Sequence, residues 1–394
     1  MQTRLAIDDH AHSSTFATAD GCEESFVSIA APEGGSFPEA LAELTGRYSA
    51  VLDRIGLSDA TAVFCRIFLS DVLNQKGTLL ESALYRRLRD SCALSIIEQK
   101  PLGFGPVALL SYHVRDPKLG IAKQLSPSAL DGWRNDLMVK GRNYSLLFSA
   151  NHTSGDTSDT YAQTRTIFDS LNSVVEQHGM TLLDNGIRTW VFIRDLDNHY
   201  QDMVRARREC FAVRGLTDQT RYLASTGIEG VTYAPERMVS VDALSLGGLS
   251  AGQVVRMEAL SHMRPTIVYG VTFERGLRVR FGDRSHLYVA GTASINSEGE
   301  VLHEGSAELQ ARRALENVRA LLEAQSATLD DLAYAIVYVR NAHDLQPVTG
   351  VIEEELGGRV PLLFAEAAVC RPAWLMEIEG MAIVPDRNAF SPFL

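Results

Sequence analysis

The sequence predicts an α+β protein of three tandem units, each β-α-β-α-β-β, folded as an intramolecular pseudo-trimer. Two observations carry this expectation. One order of strand and helix patterns recurs three times along 394 residues, and a chain of that length exceeds one ordinary core. Apolar residues make up 45% and charged residues 22%, a globular balance that gives each unit material for a core.

The last copy is the clearest. HLYVAGTASINSEG reads as a strand ending in a small-residue turn. ELQARRALENVRALLEAQ places Ala314, Val318, Leu321 and Leu322 on one helical face. LAYAIVYVRNAHDL follows as a strand, VTGVIEEELGG as a helix with a glycine stop, and LLFAEAAVCRPAWLMEIEGMAIV as a closing pair of strands. The middle copy repeats this as NYSLLFSANHTSG, TYAQTRTIFDSLNSVVEQHG, IRTWVFIRDL and YQDMVRARRECFAVRG, then RYLASTGIEG and QVVRMEALS. A fainter first copy runs ESFVSIAAPEGGS, ALAELTGRYSAVLDRIG, TAVFCRIFLSDV and LLESALYRRLRDS, then ALSIIEQKPL and PVALLSYHV. The units are expected at residues 1–120, 140–262 and 263–394, with boundaries inside 117–135 and 232–265, where periodicity fades. Such a unit covers one face of its sheet with helices and leaves the other to be buried against the other two sheets. Sites are expected in the clefts between copies.

Charge and composition narrow the function classes. A net charge of -12 and a pI near 5.4 argue against a polyanion-binding surface. MQTRLAIDDHAHSSTF lacks the basic-then-apolar order of a signal peptide, and no apolar run is long enough to span a bilayer. A cytoplasmic protein with no membrane or nucleic-acid partner is expected. Cys22, Cys65, Cys92, Cys210 and Cys370 lie far apart with no C-x-x-C pair, so reduced thiols are expected. The tract DDHAH, Asp8 to His12, offers possible metal ligands, but a frayed terminus explains it better. GGLSAGQ lacks the Lys-Ser or Lys-Thr of a phosphate loop. No metal and no cofactor is expected.

Within VCRPAWLMEIEGMA, residues 369–382, Glu377 and Glu379 are spaced by two. In a strand that spacing puts both acids on one face and Met376 and Ile378 on the other.

These residues carry a resemblance. The last third, from VYGVTFERG through GTASINSEGEVLHEGSAELQARRALENVRALL to VCRPAWLMEIEGMA, resembles the Rid/YjgF family of small trimeric enamine and imine deaminases, with a chorismate-mutase-like fold. The middle copy, with IRTWVFIRDLDNHYQDMVRARRECF and RYLASTGIEG, looks more like the chorismatases, Rid-derived enzymes that hydrolyse chorismate to pyruvate and a cyclohexadiene or benzoate carboxylic acid. Cys370, seven residues before Glu377, fits the same relatives, in which a glutamate at the Glu377 position is the proposed acid. The first copy matches neither relative specifically. Rid deaminases carry an arginine at the start of the penultimate strand, where the third copy has Leu362 and Leu363. Arg221 falls where such an arginine could sit in the middle copy, which implies a pocket combining two copies.

Both relatives solve one chemical problem. An enamine or enol ether becomes hydrolysable once its terminal carbon is protonated, which requires a positioned carboxylic acid. Among Trp374, Leu375 and Met376, desolvation would raise the Glu377 pKa so that it holds a proton; the plainer reading is a solvated acid on an exposed strand face. Glu379 reads as structural. Cys370 lines the pocket or positions water on one reading and is a small core residue on the other. Arg188, Arg205, Arg208 and Arg221 form the densest arginine group and would bind carboxylates, although some of Arg205, Arg207 and Arg208 must be the wet face of a helix. Tyr269 and Arg275 match pocket positions in the relatives, and Gly291 would let backbone approach a ligand; strand-end packing and a tight turn are their plainer explanations. The expected substrate is a small anionic enol ether, chorismate foremost, giving pyruvate. An enamine or imine deaminase and a non-catalytic binder of a small carboxylate are the alternatives, and ribonuclease activity fits this acidic chain poorly. The assembly expected is a monomer or a homodimer of pseudo-trimers.

Overall fold

Each unit forms one six-stranded mixed sheet in the computed structural model, which describes residues 2–394 apart from 20, 119, 128–132, 156–158, 235 and 359, with residue 269 described by its backbone alone. The first sheet contains β1 (Gln2–Asp8), β2 (Ala11–Ala17), β3 (Glu23–Ala30), β4 (Ala62–Leu69), β5 (Ala93–Glu98) and β6 (Val107–Arg115), in the order β1-β2-β3-β6-β4-β5. The second contains β7 (Ala122–Pro127), β8 (Asn135–Lys140), β9 (Ser145–Thr153), β10 (Gly186–Ile193), β11 (Ala224–Glu229) and β12 (Val239–Gly247), ordered β11-β10-β12-β9-β8-β7. The third contains β13 (Val254–Arg256), β14 (Gly276–Arg280), β15 (Arg284–Thr292), β16 (Leu332–Val339), β17 (Leu362–Glu366) and β18 (Met376–Pro385), ordered β13-β14-β15-β18-β16-β17. The topology is the same in all three. Each sheet has one parallel pair, β4/β5, β10/β11 or β16/β17, and a parallel pair needs a crossover.

Helices supply those crossovers: α2 (Val72–Glu81) with α3 (Ala83–Arg89), α6 (Leu196–Ala212) and α8 (Leu345–Leu356). The long helices α1 (Phe37–Ile55), α4 (Thr160–Gln177) and α7 (Ala307–Glu323) follow the third strand of each unit, and a short α5 (Leu182–Asn185) precedes β10. Their ends are written in the sequence. Ser36 and Glu39 form a capping box before α1, and Gly56, at φ 69, ends that helix in the left-handed conformation. Ser306 accepts from the Leu309 amide to start α7, which then buries Ala311, Ala314, Val318 and Leu321.

One core cluster joins residues from all three sheets. Phe26 stacks on Tyr112 at 4.5 Å and on Tyr334 of the third unit at 4.9 Å, while Phe64 stacks on Trp190 of the second at 5.9 Å. Full burial of each such ring contributes on the order of 1.5–3 kcal/mol. Each junction between units also carries its own buried ion pair: Arg66 with Asp242 at 2.8 Å, Arg188 with Glu379 at 2.6 Å, and Arg284 with Glu24 at 2.7 Å.

The three-unit α+β arrangement is the one expected, with four differences in its elements. Two further strands precede each β-α-β-α-β-β run: β1, β7 and β13 lie at sheet edges, where polar residues interrupt the pattern as in QTRLAID, and β2, β8 and β14 join them to the run. QVVRMEALS does not close the middle sheet: VSVDALSLG does, as the fully buried β12, and Val254–Arg256 opens the third sheet. β7 and β13 therefore fall in stretches expected to link units. LLESALYRRLRDS is two helices, because Ser82 ends α2 and caps α3 through the Tyr85 amide. The DDHAH tract is not frayed: β1 and β2 pair across it as a hairpin.

Candidate functional site

The face of β18 that carries both acids points inward, between sheets. Glu377 is 4% exposed and Glu379 1%, so neither is the solvated residue of the plainer reading, and the two have different surroundings. Glu379 accepts from Arg188 at 2.6 Å, Trp190 at 2.8 Å and Tyr338 at 3.2 Å, and from Thr226. That shell saturates both of its oxygens. Glu377 opens instead into a cavity of about 270 Å³ between the second and third units. Burial pushes its carboxyl up to about 8, the charge on Glu379 adds to the rise, and Arg188 and Arg275 oppose it.

The walls come from both units. α6 contributes Tyr200, Arg207 and Arg208, β11 contributes Ser225 and Gly227, and the segment before β14 contributes Phe273 and Arg275. Gly291 closes the floor, because a Cβ there would stand 1.9 Å from Glu377 Oε1. Arg207 and Arg275 flank the Phe273 ring, at 6.0 and 5.6 Å, and Arg207 donates to Ser225 Oγ at 3.2 Å. Burial pulls both guanidinium pKa values down, that of Arg275 to about 10. Such groups gain from an anionic ligand that restores their solvation. Cys370 also lines the cavity, and burial followed by the nearby Glu377 charge pushes its thiol up to about 12. A protonated thiol is a weak nucleophile.

The structure therefore brings Glu377, Cys370, Arg208, Arg275 and Gly291 to one cavity and leaves other expected residues outside it. Arg188 is buried behind the wall, holding Glu379. Arg205 is 60% exposed on the outer face of α6 with Asp202, the wet-face position. Arg221 donates to the Gly186 carbonyl at 2.7 Å and does not line the cavity. Tyr269 ends the 3₁₀ turn Thr266–Tyr269, and its side chain lies outside the described residues. Leu362 and Leu363 line a different cavity, so they do not bear on the chemistry at Glu377. Arg207 was the residue missed. Its signal was helical spacing: it falls in step with the buried Met203, Val204, Cys210 and Phe211, and a lone arginine on an apolar face faces inward.

Sheet register explains why one junction alone carries this acid. Tyr338 pairs with Glu377 as Phe192 pairs with Ser240 and Phe68 with Ala108, so serine and alanine hold the equivalent places in the other units. On β9, Asn151 holds the place of Gly291, and its side chain binds the backbone of Leu94 and Ile96, filling the space that Gly291 leaves open. Among the described residues no group of three or more His, Cys, Asp and Glu side chains is arranged to hold a metal, and no helix is long and apolar enough to cross a membrane.

Comparison with known proteins agrees with this architecture. The family model described as Endoribonuclease L-PSP, that of Rid/YjgF proteins, matches residues 279–384. A 3-hydroxybenzoate synthase of Streptomyces hygroscopicus is 26% identical over 249 residues, covering 56% of this chain and 69% of its own length. A chorismatase crystal structure superposes with a TM-score of 0.61 at 17% identity, over 82% of this chain and 94% of its own. At that identity the likeness speaks for the fold. The last third of the chain is thus similar to Rid/YjgF proteins, and the whole has the three-unit fold of the chorismatase structure.

Proposed function

We propose that the chain is an enzyme that hydrolyses a small anionic enol ether of the chorismate class, with Glu377 as its general acid. The observation that carries this is one buried carboxyl, pushed up to about 8, facing a cavity whose walls carry Arg207, Arg208 and Arg275. At neutral pH it holds a proton while the arginines stay charged. Glu377 gives its proton to the terminal methylene, and the ether carbon becomes an oxocarbenium. Water adds there and returns a proton to Glu377. The resulting hemiketal expels the ring hydroxyl and leaves pyruvate. Arg207 and Arg275 bind the substrate carboxylates, and Cys370 lines the wall beside the acid. The likeness to a 3-hydroxybenzoate synthase supports this substrate class.

The test is to incubate the protein with chorismate and follow pyruvate through lactate dehydrogenase, with Glu377→Gln alongside. General acids contribute about 10²–10⁴-fold, so the variant is expected to lose at least about 100-fold in kcat while still binding chorismate. No pyruvate from the native protein overturns the substrate class. Ammonia released from an enamine would then indicate deamination, and chorismate binding without turnover would indicate a binder.

A further inference from the structure

The cavity at the junction of the third and first units equals the Glu377 cavity in volume, about 270 Å³, and has a different chemistry. It is the same cleft by symmetry. Leu362 and Phe364 on β17 hold the places of Ser225 and Gly227 on β11, and Ala108 on β6 holds that of Glu377. With no acid in that place, the junction lacks the group that would protonate a substrate.

Its polar lining is nonetheless unspent. Ser28 is 2% exposed and its hydroxyl has no hydrogen-bond partner; the Nδ1 atoms of His10 and His12 are likewise buried and unpartnered. Ser28 and His12 lie opposite each other on β3 and β2, and His10 meets the Phe104 ring edge at 5.5 Å. Burying three such groups unsatisfied is costly, so a ligand hydroxyl that satisfied them would be held there. Phe104, Phe364 and Leu362 supply apolar walls. Among the described residues no lysine or arginine lines this cavity, and its exposed acids, Asp9 and Glu353, would repel an anion. A cavity of roughly 150 Å³ holds benzene, so this one has room for a substituted ring.

We propose that this junction is a second, non-catalytic binding site for a small uncharged hydroxylated aromatic, with the ring between Phe104 and Phe364 and the hydroxyl on Ser28 and the two histidines. The proposal is independent of the reaction at Glu377.

Phenol is the probe. Titration into full-length protein carrying isotope-labelled histidine is expected to give saturable shifts of the His10 and His12 rings, assigned with His10→Asn and His12→Asn. Glu377→Gln should bind phenol unchanged, benzoate should bind at least tenfold more weakly, and Ser28→Leu should weaken phenol at least tenfold. If Ser28→Leu does not fold, Leu362→Trp fills the cavity from the opposite wall and must have the same effect. Absence of saturable shifts at His10 and His12, undiminished binding in the folded cavity-filling variant, or benzoate binding as well as phenol overturns the proposal. So do saturable shifts confined to histidines other than His10 and His12.

Discussion

Replacing Glu377 with glutamine should change how stability depends on pH, apart from any effect on turnover. The folded protein raises this carboxyl from 4.5 to about 8. Between those values the folded state keeps a proton that the unfolded chain has released, so raising the pH favours unfolding. At about 1.4 kcal/mol per pH unit, the native protein should lose up to about 5 kcal/mol across that interval through this one group. The amide of the Glu377→Gln variant has no proton to lose. Urea unfolding of both proteins from pH 4 to 9 tests this, because other titrating groups cancel in the difference. The variant should match the native protein near pH 4 and exceed it increasingly up to about pH 8, with unchanged m-value. Curves that stay parallel to within about 1 kcal/mol would show that folding leaves the Glu377 carboxyl at its ordinary value, ionised at neutral pH, and its role as general acid would fall.

Three further outcomes follow from the same geometry. Gly291→Ala places a methyl group 1.9 Å from Glu377 Oε1; overpacking should cost about 1–3 kcal/mol, and displacing the acid by about 1 Å should lower kcat about 100-fold. Arg207→Met should raise KM at least tenfold with little loss in urea midpoint, since it removes a buried cation short of partners, whereas Arg205→Ala should leave both constants and stability within error. Glu379→Gln strands the Arg188 charge in the core and should cost about 3–5 kcal/mol by urea titration.

The repeat made the fold legible, because β4, β10 and β16 and the helices around them are long, apolar and separated by turn residues. What escaped was edge structure. β1, β7 and β13 mix polar with apolar residues and pair on one side only, which removes the periodicity that a strand facing two layers shows. At the site, the spacing of Glu377 and Glu379 revealed their shared face but not that one would be saturated by Arg188 and Trp190 while the other opened into a cavity, since those partners lie 189–191 residues away. Arg221 and Arg207 show the same limit. Proximity to a strand start favoured Arg221, whose reach is taken up by the Gly186 carbonyl, whereas the helical phase of Arg207 sends it inward.

The three buried ion pairs that join the units are not interchangeable, and that fixes the order of assembly. In a ring made only of third units, Glu379 would face Tyr334 and Ile336, which occupy the strand positions of Arg188 and Trp190, and a buried carboxylate without its cation would oppose closure. A ring of first units would strand Glu24 without Arg284, and Arg66 opposite Leu110 in place of Asp242. Each junction therefore works as a keyed joint. Segments of neighbouring chains are discouraged from exchanging places, and a shuffled or partial ring is rejected by the charges that stabilise the correct one.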